Sequence, residues 1–345
     1  MITIYSDAHH LHHATAELID GKMLPPFEMP KRAEMVLSRI KQNNLGSIVE
    51  PNDFGLEPIL RVHDADYVRF LQNAWDAWVA EHGNFDALPL NWPVRSLRSD
   101  RIPEVIDGKL SYYSFDAGTP ITEGTWHAIT TAVNVALTGQ QQIIQGTRAA
   151  FALCRPPGHH AAKDLLGGYC YFNNAAIAAQ AFRDNGAERV AILDVDYHHG
   201  NGTQAIFYDR ADVMFLSIHG HPAQEYPYFS GYDDEIGSDI GIGFNQNYPL
   251  RWESDWDAYE DALAQAIHRI QLFKPDVVVV SLGVDTYEHD PISRFRLTLE
   301  DFPKIGRAIA RLHRPTLFIM EGGYAVDDIG INVVSVLRGF EEEMG

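Results

Sequence analysis

The chain has 345 residues, 46% of them hydrophobic, enough for one large α/β domain or two smaller ones with a sizeable core. Acidic residues outnumber basic ones 47 to 27, a formal charge of −20 that opposes binding to a nucleic-acid backbone and favours a cationic ligand. There is no apolar run of the roughly 20 residues that span a bilayer, MITIYSDAHH is no signal peptide, and Cys154 and Cys170 read as buried free thiols, so a cytoplasmic protein without a membrane partner is expected.

Residues 2–5 predict a first short strand, followed by a loop with His9, His10, His12 and His13. No carboxylate or cysteine stands at ligand spacing from these histidines, so they are expected to be solvated. Glu17 and Glu28 flank Pro25-Pro26 in a loop, and Pro30 opens a helix whose Ala33, Val36, Leu37 and Ile40 recur at helical spacing. A second helix is predicted over 65–80, with Tyr67, Phe70, Leu71, Ala74 and Trp78 on its apolar face. Periodicity then disappears over 82–122. Prolines 89, 93, 103 and 120 stand there beside Trp92, Tyr112, Tyr113 and Phe115, which predicts an ordered excursion packed on a second subunit or over its own domain.

From Trp126 the pattern is regular. Helices are predicted over 126–144, 174–182, 256–272, 302–312 and 327–340, and strands over 149–154, 190–195, 213–218, 277–282 and 316–320. The alternation implies a parallel sheet with helices on both faces, and no linker or internal repeat divides it.

The strand ends carry the chemistry. Strand 149–154 leads to RPPGHH with His159 and His160, and strand 190–195 delivers Asp194, Asp196 and His198 before Gly200-Asn201-Gly202. Strand 213–218 ends in Ser217 and His219, strand 277–282 leads to Asp285 in SLGVD, and strand 316–320 leads to Tyr324 in MEGGY. Ligands bind outside the carboxyl ends of such strands, so these groups should share one crevice. Taken alone, Asp196 has an alternative role as the cap of a helix starting near Thr203. Two carboxylates and an imidazole suit a catalytic zinc with three protein ligands, Asp196, His198 and Asp285. Two carboxylates nearly neutralise that ion, which then acidifies its water less than a three-histidine site does, so a base is required; His159 and His160 are the candidates. A glycine pair lets the Tyr324 phenol approach an oxygen gaining negative charge. The chemistry assembled is metal-assisted hydrolysis of an unactivated carbonyl such as an amide. His199 should point away from His198 and is left out of the ligand set.

RPPGHH, GGYCYFNNAAIAA, LDVDYHHGNGTQ, SLGVD and EGGY resemble the zinc-dependent histone deacetylase family of the arginase-deacetylase superfamily, from about Ala149 to the C-terminus. MLPPFEMP, VHDADYV and the 82–122 stretch look most like its bacterial acetylpolyamine amidohydrolase branch. The resemblance implies a single α/β domain of arginase-deacetylase type with a parallel sheet of about eight strands. It implies that Asp196, His198 and Asp285 ligate zinc, that His160 is the general base and later protonates the leaving amine, and that His159 is its electrostatic partner. Tyr324 would hydrogen bond the substrate carbonyl. Asp194 would orient His159 and face a structural potassium ion, with carbonyls near Asp196, His198, Ser217 and Ile218. Tyr169 and Tyr226 match the walls of a substrate tunnel. Many members carry Asp where Asn201 stands, and a neutral Asn supports an imidazolium at His160 less well.

The implied substrate is an N-acetylated polyamine whose ammonium groups meet acids at the tunnel mouth, with Glu17, Asp107 and Asp116 as candidates. The implied assembly is a homodimer whose 82–122 loops narrow the entrance. A protein acetyl-lysine deacetylase and a non-catalytic amine- or acetate-binding protein are the competing readings. A dinuclear manganese ureohydrolase would carry an Asp-x-His-x-Asp order, whereas this chain has Asp194-x-Asp196-x-His198.

Overall fold

The predicted strands are apolar at most positions because each is buried on both sides. In the computed structural model, which describes residues 1–19 and 21–345, the strands are β1 (Ile2–Ile4), β2 (Glu17–Ile19), β3 (Lys22–Leu24), β4 (Ile48–Val49), β5 (Ala149–Ala152), β6 (Val190–Asp194), β7 (Val213–Gly220), β8 (Asn245–Leu250), β9 (Val277–Leu282) and β10 (Thr316–Met320). Eight of them form one sheet in the order β4-β1-β5-β10-β9-β6-β7-β8, and every pairing in it is parallel. β2 and β3 form a separate antiparallel hairpin.

Alternate residues of the central strands go to two cores. Ile192, Val279 and Leu317 pack with the helices Ala65–His82, Thr125–Ile144 and Asn174–Asp184. Leu193, Val280 and Phe318 pack with Lys31–Gln42, Trp256–Phe273, Phe302–Ala310 and Ile329–Met344. Each fully buried aliphatic side chain contributes about 1.5–3 kcal/mol, which offsets the chain entropy of ordering the loops at the strand ends. Among the described residues no helix is long and apolar enough to cross a membrane.

Three features go beyond or against the sequence expectations. The edge strand β8 was not foreseen, because its sequence NQNYPL is polar and contains Pro249, a residue that sheets accept at an edge. Its buried Asn245 and Asn247 donate to Gln204 Oε1 and to the carbonyls of Glu235 and Tyr232. The early histidines are not uniformly solvated. His9 and His12 are buried against Tyr5 and Thr125, and only His10 and His13 face solvent. Glu17 and Glu28 are buried as well, Glu28 between Arg32 and Arg155.

The 82–122 stretch is ordered and contains the helix Ile106–Tyr112. Ile106, Leu110 and Tyr113 join the core, and Ala87 and Ile121 exchange backbone hydrogen bonds of 2.9 and 3.0 Å, so both ends are fastened to their own domain. Between them Leu90, Val94, Leu97, Ile102 and Val105 are exposed.

Candidate active site

Four neighbouring strands, β5, β10, β9 and β6, feed one site from their carboxyl ends. His159 and His160 follow β5, Tyr324 follows β10, Asp285 follows β9, and Asp196 and His198 follow β6. The helix Asn201–Phe207 starts at Gly200 without a side-chain cap, so Asp196 is not a helix cap. Its carboxylate is aimed into the site instead.

His198 Nδ1 lies 3.0 Å from Asp285 Oδ2 and 3.5 Å from Asp196 Oδ1. All three residues are buried, with donor atoms within 4.8 Å of one another. Backbone donors hold the carboxylates in place: Gly322 N–H and His198 N–H donate to Asp196 at 2.7 and 2.9 Å, and Tyr197 N–H donates to Asp285 Oδ1 at 2.8 Å. A Cβ on Gly322 would stand 2.5 Å from Asp196 Oδ2 and 2.7 Å from Asp285 Oδ2, so only glycine permits this approach. Among the described residues neither carboxylate pairs with a lysine or arginine. Burial, and then the charge of Asp196, push Asp285 up to about 7. Two buried carboxylates beside an imidazole, with no fixed cation among them, fit a divalent metal ion.

The tandem histidines are held apart electrostatically. His159 Nδ1–H donates to Asp194 Oδ2 at 2.9 Å, and its Nε2 is 3.8 Å from Asp196 Oδ1. Burial alone would lower the His159 pKa, but Asp196 and Asp194 outweigh it and raise the value to about 10. His160, whose ring centre is 4.1 Å away, is pushed well below its ordinary value by burial, then by His159 and His198. Its Nδ1 sits 2.6 Å from Asn201 Oδ1. One imidazole is thus kept charged and the other neutral, a split that separates an electrostatic role from a base role. His199 faces Gln204 and His219.

Tyr324 is buried, and burial keeps its phenol protonated as a donor. Its loop is pinned from two sides. Asp290 Oδ2 accepts the N–H groups of Tyr324 and Ala325 at 2.7 and 3.2 Å, and Arg32 donates to the carbonyls of Glu321 and Gly323, both at 2.6 Å. Sequence reasoning assigned no role to Asp290, Arg32 or Glu321. Glu321 stands inside the MEGGY motif, but nothing local marks it as the acceptor of Gly158 and His159 N–H at 2.6 and 3.1 Å.

A cavity of about 710 Å³ leads to His160, His198 and Tyr324 between Tyr169 and Tyr226. The Tyr226 ring stands edge-on to His160 at 5.3 Å, and the Tyr169 and Tyr324 rings are 5.6 Å apart. Of the three candidate ammonium partners, only Asp116 lines this cavity. Its Oδ2 accepts from Tyr226 OH at 2.7 Å and Gly168 N–H at 2.6 Å, so it also fixes a wall. Glu17 is 1% exposed, accepts Phe27 N–H at 2.9 Å and sits behind Tyr169, to which it is hydrogen bonded. Asp107 lies outside the cavity lining and is 3.0 Å from His82 Nε2. Glu225, at the cavity rim, accepts from Tyr197 OH and Trp252 Nε1 and was not foreseen.

Behind the site, the strand register sets Asp194 opposite Ser217, next to Ile218, with all three fully buried. Asp194 Oδ1 accepts Asp196 N–H at 3.1 Å, and the Ser217 hydroxyl contacts His219 Nδ1 at 2.7 Å.

The sequence profile of the histone deacetylase domain matches residues 26–340. Acetylpolyamine amidohydrolase 2 of Pseudomonas aeruginosa is 62% identical over 341 residues, covering 99% of both chains. Acetylpolyamine amidohydrolase of Mycoplana ramosa is 48% identical, covering 98% of this chain and 99% of its own. The crystal structure of acetylpolyamine aminohydrolase from Burkholderia pseudomallei superposes over the whole of both chains with a TM-score of 0.95 at 39% identity.

Proposed function

The chain belongs to the histone deacetylase family, and we propose that it hydrolyses the acetamide bond of N-acetylpolyamines to give the free amine and acetate. The observation that carries this reading is the meeting, at the inner end of one cavity, of His198 with Asp196 and Asp285, a buried set able to hold a metal ion, a neutral histidine and a buried phenol. Membership of the family makes this a metal-dependent amidohydrolase. We assign Asp196, His198 and Asp285 to a single zinc ion, which when bound polarises the acetyl carbonyl and acidifies a water beside it.

The chain's own groups do the rest. His160, neutral and held through Nδ1 by Asn201, takes the water proton on Nε2 and passes it to the amine nitrogen as the C–N bond breaks. Tyr324 donates its hydroxyl to the carbonyl oxygen as that oxygen becomes negative. His159, held charged by Asp194 and Asp196, adds positive potential beside the same atoms. Tyr169 and Tyr226 grip a slim methylene chain and exclude water from it.

Asp194 and Ser217, with Ile218 and the carbonyls of Asp196 and His198, are assigned to a structural potassium ion, supported by the burial of an acid between neighbouring strand ends. Of the three candidate acids, Asp116 is the one placed to meet a substrate ammonium. Glu17 supports the wall behind it, and Asp107 would reach an entrance only across a subunit interface. The exposed Leu90, Val94 and Leu97 support a homodimer in which the 82–122 stretch is covered and narrows the mouth.

The test is a substrate panel on zinc-loaded enzyme. Acetylputrescine and acetylcadaverine should be turned over with higher kcat/KM than acetyl-lysine peptides. Peptides faster by an order of magnitude would instead establish a protein deacetylase.

A further inference from the structure

We propose that His159, Cys170 and Glu321 form a second, weaker metal site behind the catalytic centre, suited to Zn2+ or Co2+, and that its occupation inhibits the enzyme. The three side chains are buried, and their donor atoms lie within 4.8 Å of one another. None of the three is one of the primary ligands, and a sulfur, nitrogen and oxygen set prefers borderline-soft ions.

One side-chain oxygen lacks a partner, and beside it stands a thiol that the reaction does not use. Glu321 is fully buried; its Oε2 accepts two backbone N–H groups, whereas Oε1 is buried without a hydrogen-bond partner. A buried acceptor left in this state is rare in folded proteins. Cys170 is a free, buried thiol whose Sγ lies 3.3 Å from the Gly168 carbonyl and beside the backbone of His160, and the proposed mechanism makes no use of it. The turn Gly167–Gly168–Tyr169–Cys170 is closed by backbone bonds of 3.1 and 2.9 Å, and its Gly168 lines the cavity, so the thiol is one turn away from the route taken by solvent.

The inhibition follows from His159. Its Nδ1–H is held by Asp194, so the nitrogen that would ligate is Nε2, once it gives up the proton it carries in the charged ring; Nε2 stands 3.8 Å from Asp196 Oδ1. An ion bound there displaces the Nε2 proton of His159 and the Cys170 thiol proton, both of which leave to solvent, so the ring becomes neutral and loses its electrostatic role while the ion's own charge sits next to the primary ligands.

Cobalt reads the site directly, because the primary set contains no sulfur. Enzyme holding one equivalent of Co2+ is titrated with excess Co2+, following bound metal, the near-ultraviolet thiolate-to-cobalt band and turnover. The expected result is a second equivalent that brings up the band while turnover falls several-fold. Cys170→Ser should lose the band, Glu321→Gln should weaken the second equivalent, and Cys154→Ser should leave both intact. Metal saturating at one per chain, or a band that survives in Cys170→Ser, overturns the proposal. The titration and its spectrum use no substrate, so they stand or fall separately from the proposed polyamine reaction.

Discussion

The ring of His160 leans on a neutral group: its Nδ1 lies 2.6 Å from the carboxamide oxygen of Asn201. An amide oxygen only accepts, so Nδ1 carries the proton and Nε2 the lone pair. A carboxylate in its place would stabilise the imidazolium, and an opposite charge at hydrogen-bond range raises a pKa by about 1–3 units. The base must be unprotonated to act, so Asn201→Asp should move the acid limb of the kcat/KM profile to higher pH by about one unit or more. An unmoved limb would mean that His160 is not the group that titrates there.

His160→Ala and Tyr324→Phe separate base from donor. Loss of a positioned base costs about 10²–10⁴-fold in turnover, and loss of one donor to a developing oxyanion about 10²–10³-fold. Both variants should keep their bound metal, since neither residue is among the ligands Asp196, His198 and Asp285. Turnover near that of the parent enzyme in either would remove that residue from the mechanism.

Asp290 should act through Tyr324. Its carboxylate accepts the Tyr324 and Ala325 N–H groups, so Asp290→Ala frees the loop that aims the phenol. A displacement of about 1 Å costs on the order of 10²-fold, and the loss should fall on kcat with KM little changed. Asp290→Asn, which retains an acceptor oxygen, should recover part of the rate. A loss confined to KM would place Asp290 in substrate binding instead.

Removal of the metal should abolish turnover. After dialysis against a chelator, Zn2+ should restore activity at one tightly held ion per chain. Asp285→Asn should lower that affinity, because it leaves the buried cluster with one carboxylate fewer. Full activity in metal-free enzyme would refute the assignment.

Glu17 should make stability depend on pH. Burial raises its pKa from 4.5 to about 7. Between those values the folded chain holds a proton that the unfolded chain has released, so stability falls as pH rises through that window. Glu17→Gln removes this contribution, and its Tm should decline less than the parent's between about pH 4.5 and 7. Parallel curves would show that Glu17 does not titrate there.

The elements of the sheet were legible because a buried parallel strand writes a continuous apolar run. β9, VVVVSL, needs no partner to be recognised, whereas NQNYPL in β8 is a strand only because Gln204 and neighbouring carbonyls satisfy its asparagines. Asp196, His198, Asp285, the tandem histidines and Tyr324 were legible for a related reason. Each stands within eight residues of a strand end, and neighbouring parallel strands bring their ends together.

The carboxylates away from those ends read alike in the sequence and differ in the fold. Asp116 lines the cavity and holds Tyr226, Glu17 is buried behind Tyr169, Asp107 turns outward to His82, and Asp290 pins the Tyr324 loop. What the sequence by itself determined, then, was the strand-end chemistry DVDYHHGN, RPPGHH, SLGVD and EGGY, because short-range pattern and strand direction suffice to gather it. What only the tertiary structure decided was the use of each remaining acid and of Glu321. An acid's role depends on which donors and how much water surround it, and those are supplied by segments far away in the chain.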